Sequence, residues 1–319
     1  MIRQIYYQLL LLAKNSYTKK LNKAVASLEL NDGIRLIDIG AAGEIMPKWK
    51  RIESHINYYG FEPDKRSREK LLTKKNKCIS YHIYDKIVAE KEGNKDLYLC
   101  ETPTNSSTYH PNQNFNILFS DDSRFKVVKT LQLPSTTLDQ LNVKSADFIK
   151  LDIQGGELNA LTGGKNLLKN ILGLEIEIEF QEIYTKQPLF NEVTSFMKEN
   201  QFEFIDFPRL VRWDRDNVYS TVGQCVWGDA LYMRTPEYVI NNIKDIDTVK
   251  RYLAICLLYH RYDLIKVVES HFKNKINVNF FNYNKKLRKG FLKNQLRKRR
   301  ANNLINLFYY YDEEVHSLH

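Results

Sequence analysis

In this 319-residue chain, side chains able to do chemistry are concentrated in a few short runs of carboxylates and glycines. Asp38-Ile39-Gly40-Ala41-Ala42-Gly43 sets an acid just ahead of small residues that let a ligand approach the backbone. A helix starting after such a loop can receive a carboxylate. Glu62-Pro63-Asp64 comes one strand later, and a carboxylate there can accept both hydroxyls of a ribose. Further on, Asp152-Ile153-Gln154-Gly155-Gly156-Glu157 places an acid before two glycines, and Glu179 and Glu182 end the next apolar run. A hydroxyl is a poor nucleophile at neutral pH, and a positioned carboxylate base accelerates its reaction by about 10²–10⁴-fold. Asp152 is the first candidate for that base and Glu179 the second. The same two carboxylates would alternatively hold a hard divalent cation that orients hydroxyl oxygens. Of the seven histidines, His82 and His110 fall near these runs and read as surface or packing residues.

These groups need a scaffold that brings strand ends together. Ile34–Ile39, Ile56–Phe61, Cys78–Tyr84, Ala146–Leu151 and Gly173–Phe180 read as strands, with helices over Asp64–Lys75, Glu157–Asn170 and Asn191–Asn200 between them. Lys86–Ala89 and Asp96–Cys100, around Glu92-Gly93-Asn94, predict a hairpin, and Phe125–Leu131 returns as a strand. Phe202–Phe207 and Ala230–Arg234 supply the last strands. This alternation predicts an α/β, doubly wound, mostly parallel sheet with antiparallel strands at its end. In such sheets ligands bind at the carboxyl ends of strands, where Asp38, Glu62, Asp152 and Glu179 fall. A dinucleotide fingerprint is incomplete, since Ala42 and Ile45 replace its second and third glycines. Asp38 suits a ligand with a free amine, such as S-adenosylmethionine.

The order and spacing of four segments resemble the FkbM-type methyltransferases, an S-adenosylmethionine-dependent family of class I fold. The segments are Leu36–Gly43, Tyr59–Asp64, Thr136–Leu141 and Asp147–Glu157, and the resemblance runs from about residue 34 to 234. Glu90–Asn112, with Ser106-Ser107, is similar to the family's hairpin and serine loop. The resemblance implies a class I Rossmann-like fold and a cofactor site of Asp38, Gly40, Ala41, Gly43, Glu62, Asp64 and Ser107. It also implies O-methylation of a glycan, glycolipid or other hydroxylated metabolite. Two positions depart from the family: Ala42 often stands as Asn, and Gln154 replaces the second acid of D-x-E-G-x-E. The alternatives are a cofactor-binding scaffold and a nucleic-acid methyltransferase.

Composition sets the remaining bounds. Hydrophobic content of 43% supports a sizeable core, and 13 Gly with 8 Pro argue against low-complexity sequence. Four separated cysteines read as reduced thiols in a cytoplasmic protein. Ile5–Ala13 is too short to span a bilayer and reads as an amphipathic helix. The chain divides into an N-terminal helix (1–30), a catalytic domain (31–235) and a helical C-terminal region (236–319). Nearly all of the net charge of +10 comes from Lys285–Arg300, whose nine cations are accompanied by no acid. Leu287, Phe291, Leu292 and Leu296 form a stripe among them, which predicts an anchor to the inner face of an anionic membrane. A helix packed on the protein with solvated cations is the equal alternative, and nucleic-acid contact a weaker one.

Overall fold

Strands form where apolar runs are closed by turn residues, and the first, β1 (Ile34–Ile39), lies between Gly33 and Gly40, both at positive φ. The computed structural model describes residues 16–119, 123–141, 143, 145–215 and 223–305, with side chains up to residue 293. The predicted helix over Ile5–Ala13 and the acidic C-terminus lie outside the described residues.

A helix over 16–26 (α1) precedes β1. Then follow α2 (Pro47–Lys50), β2 (Ile56–Phe61), α3 (Lys65–Thr73), β3 (Ser80–Tyr84), β4 (Ile87–Val88), β5 (Gly93–Cys100), α4 (Gln113–Leu118) and β6 (Val127–Thr136). The second half has β7 (Phe148–Leu151), α5 (Glu157–Thr162), β8 (Gly173–Glu179), α6 (Phe190–Glu199), β9 (Glu203–Trp213) and β10 (Gln224–Met233). Four helices close the described chain: α7 (Pro236–Asn242), α8 (Ile246–Leu258), α9 (Tyr262–Phe272) and α10 (Val278–Ile305).

Seven strands form one sheet in the order β3-β2-β1-β7-β8-β10-β9. The pairs from β3 to β8 are parallel, and β10 is antiparallel to both β8 and β9, as the sequence predicts. The predicted hairpin is absent. β4 and β5 flank β6 in a separate three-stranded sheet, with Ile87 and Gly93 both in register with Ser135. The turn at Glu92-Gly93-Asn94 thus reverses the chain without pairing its two arms. The predicted helix Glu157–Asn170 also breaks, because α5 ends at Gly163-Gly164 and a short 3₁₀ turn follows.

Strand periodicity divides the core. Leu174, Ile176 and Ile178 of β8 face one side with Val193 and Met197 of α6 and Ala160 and Leu161 of α5. The opposite face is covered by α1, Trp49 of α2 and the C-terminal helices, which share one apolar cluster with Leu36, Phe148, Leu231 and Met233. Arg251 of α8 reinforces that layer. Its Nε lies 2.9 Å from Asp147, which Arg35 grips from the other side at 3.1 Å.

The basic segment belongs to α10. Leu287 is buried, and Phe291 stacks on His260 at a centroid distance of 4.7 Å, while Leu292 and the cations of 285–293 point outward. Half of the predicted stripe therefore packs on the helical layer. Leu296 and the cations of 297–300 fall where side chains are not described.

Candidate active site

β1 and β7 are neighbours, yet the chain runs outward from them in opposite directions, so their carboxyl ends open a crevice. Gly40 lines it with φ +81°, and a Cβ there would lie 1.7 Å from the Asp152 carbonyl oxygen. Only glycine lets the two strand ends approach so closely. The Gly40 and Ala41 amides both donate to the Phe61 carbonyl, at 2.9 and 3.1 Å, which ties this loop to β2. The expected helix N-terminus behind the loop is missing. α2 starts at Pro47 and has four residues, because Pro47 sets its beginning several residues late.

The cofactor candidates separate into wall and support. Gly40, Glu62, Asp64 and Ser107 line a cavity of about 400 Å³, which Ala42, Asp152, Gln154, Glu177 and Glu179 also line. Asp38 lies behind this wall, 2% exposed, accepting from Tyr58 Oη at 2.7 Å, with Lys150 Nζ 3.5 Å from its other oxygen. Burial raises its carboxyl, against the pull of Lys150 and Tyr58. Ala41 is buried in the core, and Gly43 sits in the loop at φ +85° with open space where a Cβ would be.

Glu62 faces the cavity with 6% exposure, and one of its oxygens accepts from the Asp64 amide at 2.8 Å. Burial pushes its carboxyl up to about 7. A carboxylate has about four acceptor sites, so capacity remains for a ligand's hydroxyls. Asp64 instead caps α3 and is gripped by Arg66, with Nη2 at 2.7 Å. The Ser107 hydroxyl donates to the Gln154 carbonyl at 2.6 Å, pinning the small sheet's loop over the crevice. A cavity of this size with a partly satisfied buried carboxylate fits a nucleoside-bearing ligand.

Four carboxyl groups converge at the β7 and β8 ends: Asp152, Glu157, Glu177 and Glu179. Lys150 Nζ lies 3.1 Å from Asp152. Burial opposes ionisation of Asp152, but Lys150 and hydrogen bonds from Glu177 and Gln154 outweigh it, so its carboxyl falls below the ordinary range. Burial and the neighbouring acids push Glu177 and Glu179 well above that range. Glu157 accepts from the Ile153 amide at 2.7 Å, and burial raises it to about 7. Like charges this close cannot all ionise, so the cluster keeps its charge on Asp152 and protons on Glu177 and Glu179. Gln154, at φ +60°, donates its amide to both Asp152 and Glu177 while Tyr184 Oη lies 2.8 Å from its Oε1. A glutamate there would present an acceptor to two acids. Glu182 lies apart, exposed and accepting from the Lys186 amide. Among the described residues, no group of three or more His, Cys, Asp or Glu could hold a metal ion.

Sequence reasoning missed Lys150, Glu177 and the outer wall of Arg124, Phe125, Arg209, Trp213 and Trp227. For Glu177 a signal existed, since Glu175, Glu177 and Glu179 alternate with Leu174, Ile176 and Ile178 through a strand buried on both faces.

Residues 39–204 match the profile of the methyltransferase FkbM domain. No curated protein matches the chain. Solved structures similar to it include magnesium protoporphyrin IX methyltransferase from Synechocystis with bound S-adenosylmethionine, at 11% identity, 70% of this chain and 82% of that one, TM-score 0.34. A 23S rRNA methyltransferase, ErmE, matches at 10% identity over 68% and 67%, TM-score 0.32. Precorrin-6y C5,15-methyltransferase from Geobacter metallireducens matches at 8% over 66% and 85%, TM-score 0.31.

Proposed function

The chain belongs to the FkbM methyltransferase family, and we propose that it methylates a hydroxyl oxygen of a glycan, glycolipid or similar metabolite, with S-adenosylmethionine as donor. The observation that carries this reading is one cavity joining the Glu62 carboxylate, suited to a ribose diol, to the ionised Asp152. When bound, S-adenosylmethionine supplies an electrophilic methyl on a sulfonium.

The protein's part is to position and to accept a proton. Glu62 accepts the ribose hydroxyls and fixes the nucleoside end. Asp38 supports the pocket from behind, and Lys150, which lines it, keeps Asp152 charged. Asp152 then takes the acceptor's hydroxyl proton. A carboxylate held at low basicity suffices, because the hydroxyl proton becomes strongly acidic as the oxygen donates a lone pair to form its third bond, the new C–O bond. Glu179 is the weaker candidate, since burial and the neighbouring Glu157 and Asp152 favour its protonated form. Holding the acceptor in line provides much of the rate, as effective molarities for oriented groups are large.

The test combines labelled S-adenosylmethionine with fractionated cell-envelope glycans, followed by mass spectrometry of the product. Asp152→Asn keeps cofactor binding and loses about 10²–10⁴-fold in turnover. Full activity in this variant, or a product methylated on nitrogen or carbon, would overturn the reading.

A further inference from the structure

The β9–β10 hairpin extends past the end of its neighbour. The β8 pairing of β10 ends at Trp227 opposite Glu179, whereas β10 and β9 remain paired out to Gln224 and Trp213. This overhang packs on Phe115, Phe119, Phe125 and Tyr184 in an apolar cluster separate from the main core. It forms the outer wall of the cavity whose floor is the acid cluster.

That wall carries arginines set on aromatic rings. The Arg209 guanidinium lies 4.5 Å from the Trp227 centroid, and Arg124 lies 4.9 Å from that of Trp213. Arg215, just past the end of β9, lies 5.7 Å from the Phe119 ring. A guanidinium held over a ring still presents N–H donors at its edge, and those match the oxygens of a carboxylate or phosphate. The cavity is thus bipolar: carboxyls at the strand ends where a hydroxyl would be deprotonated, guanidinium groups at the rim.

We propose that the rim formed by Arg209, Arg124, Trp213 and Trp227 is an acceptor subsite for an acidic saccharide, one bearing a carboxylate or phosphate ester away from the methylated hydroxyl. This rests on the methyltransferase reading and narrows its acceptor. Trp213 and Trp227 supply an apolar wall for a sugar ring, Arg209 binds the anionic substituent, and Arg124 adds positive charge to the rim. The acid cluster at the floor of this cavity would repel the repeated phosphates of a nucleic-acid strand, whereas a saccharide presents neutral hydroxyls there.

The three tryptophans make the subsite observable. Trp49 is fully buried in the core, so changes in intrinsic fluorescence report Trp213 and Trp227. The full-length protein, without methyl donor, is titrated with digalacturonate and glucose 1-phosphate, and with maltose and glucose as neutral counterparts. The two acidic probes distinguish carboxylate from phosphate ester. At least one binds saturably and about tenfold more tightly than its neutral counterpart, and Arg209→Gln removes about that factor without changing the neutral sugars. Arg209 is exposed, so circular dichroism of the variant stays unchanged. Equal binding of acidic and neutral sugars, no saturation by either acidic probe up to about 10 mM, or no effect of Arg209→Gln overturns the proposal. Tighter binding of a thymidine octanucleotide overturns it in favour of nucleic acid. Calorimetry with S-adenosylmethionine on the same sample separates the two levels. Cofactor binding without saccharide binding rejects the subsite alone, and absent cofactor binding rejects the methyltransferase reading.

Discussion

Glu62 faces opposing demands from stability and binding. Its carboxyl ionises near 7 rather than 4.5 because burial disfavours the charge. Below about pH 4.5 both folded and unfolded chains hold the proton, and the stabilisation from keeping it is complete. Between 4.5 and 7 the unfolded chain releases it first, so that stabilisation is lost as pH rises. Above 7 the folded protein carries a buried charge costing at most roughly 3 kcal/mol. Glu62→Gln stays neutral throughout and keeps an oxygen for the Asp64 amide. Its melting temperature matches wild type near pH 4 and exceeds it by several degrees at pH 8. A ribose diol prefers the charged acceptor, so wild-type affinity for S-adenosylmethionine falls about tenfold per unit below pH 7, while the variant binds weakly at every pH. Thermal melts and calorimetry across pH 5–8 check both halves. A pH-independent wild-type affinity would remove Glu62 from the cofactor site.

At the scale of elements, strands with local signals were legible and those defined by distant partners were not. β1, β2, β7 and β8 announce themselves as apolar runs closed by Gly40, Glu62, Asp152 and Glu179, which is why the floor of the site could be read from sequence. β4 has two residues, and among the described residues its only partner is β6, so nothing local distinguishes its pairing from a hairpin. The expected final strands stop at Phe207 and begin at Ala230, and so miss the overhang that carries Trp213 and Trp227. Beyond β8 that segment no longer alternates between two faces of the main core. The change to helix near residue 235 was legible, but it marks a change of layer within one apolar cluster. Phe148, Leu231 and Met233 are covered by α8 and its neighbours, and Arg251 partners Asp147 across the boundary. A chain ending at residue 235 would therefore expose that face and leave a buried carboxylate with one partner fewer, a loss of several kcal/mol. It is expected to be insoluble or to lack a cooperative melt. A soluble 1–235 fragment that melts cooperatively would show that the helices are dispensable.

Over the whole molecule, charge and apolar surface are allotted to different places on α10. Lys285, Lys286, Arg288, Lys289 and Lys293 are exposed, whereas Leu287 is buried and Phe291 leans on His260, which burial holds neutral by lowering it to about 4. No helix among the described residues is long and apolar enough to cross a membrane. An anionic surface would thus meet cations backed by a helix already docked on the protein, and Leu292 is the exposed apolar residue of the stripe there. Each cation near such a surface contributes about 1 kcal/mol, and salt screens that attraction within a Debye length. Full-length protein should co-sediment with vesicles containing phosphatidylserine and not with phosphatidylcholine alone. Raising salt from about 0.1 to 1 M should release it, since the Debye length falls from roughly 10 to 3 Å. Leu292→Ala should change nothing, and reversing Lys285, Lys286, Arg288 and Lys289 to Glu should abolish binding while cofactor affinity is kept. Equal recovery in the supernatant with and without anionic lipid would remove the membrane role. Binding that survives salt and disappears in Leu292→Ala would show instead that the helix inserts, which requires Leu287 and Phe291 to leave their contacts with the helical layer.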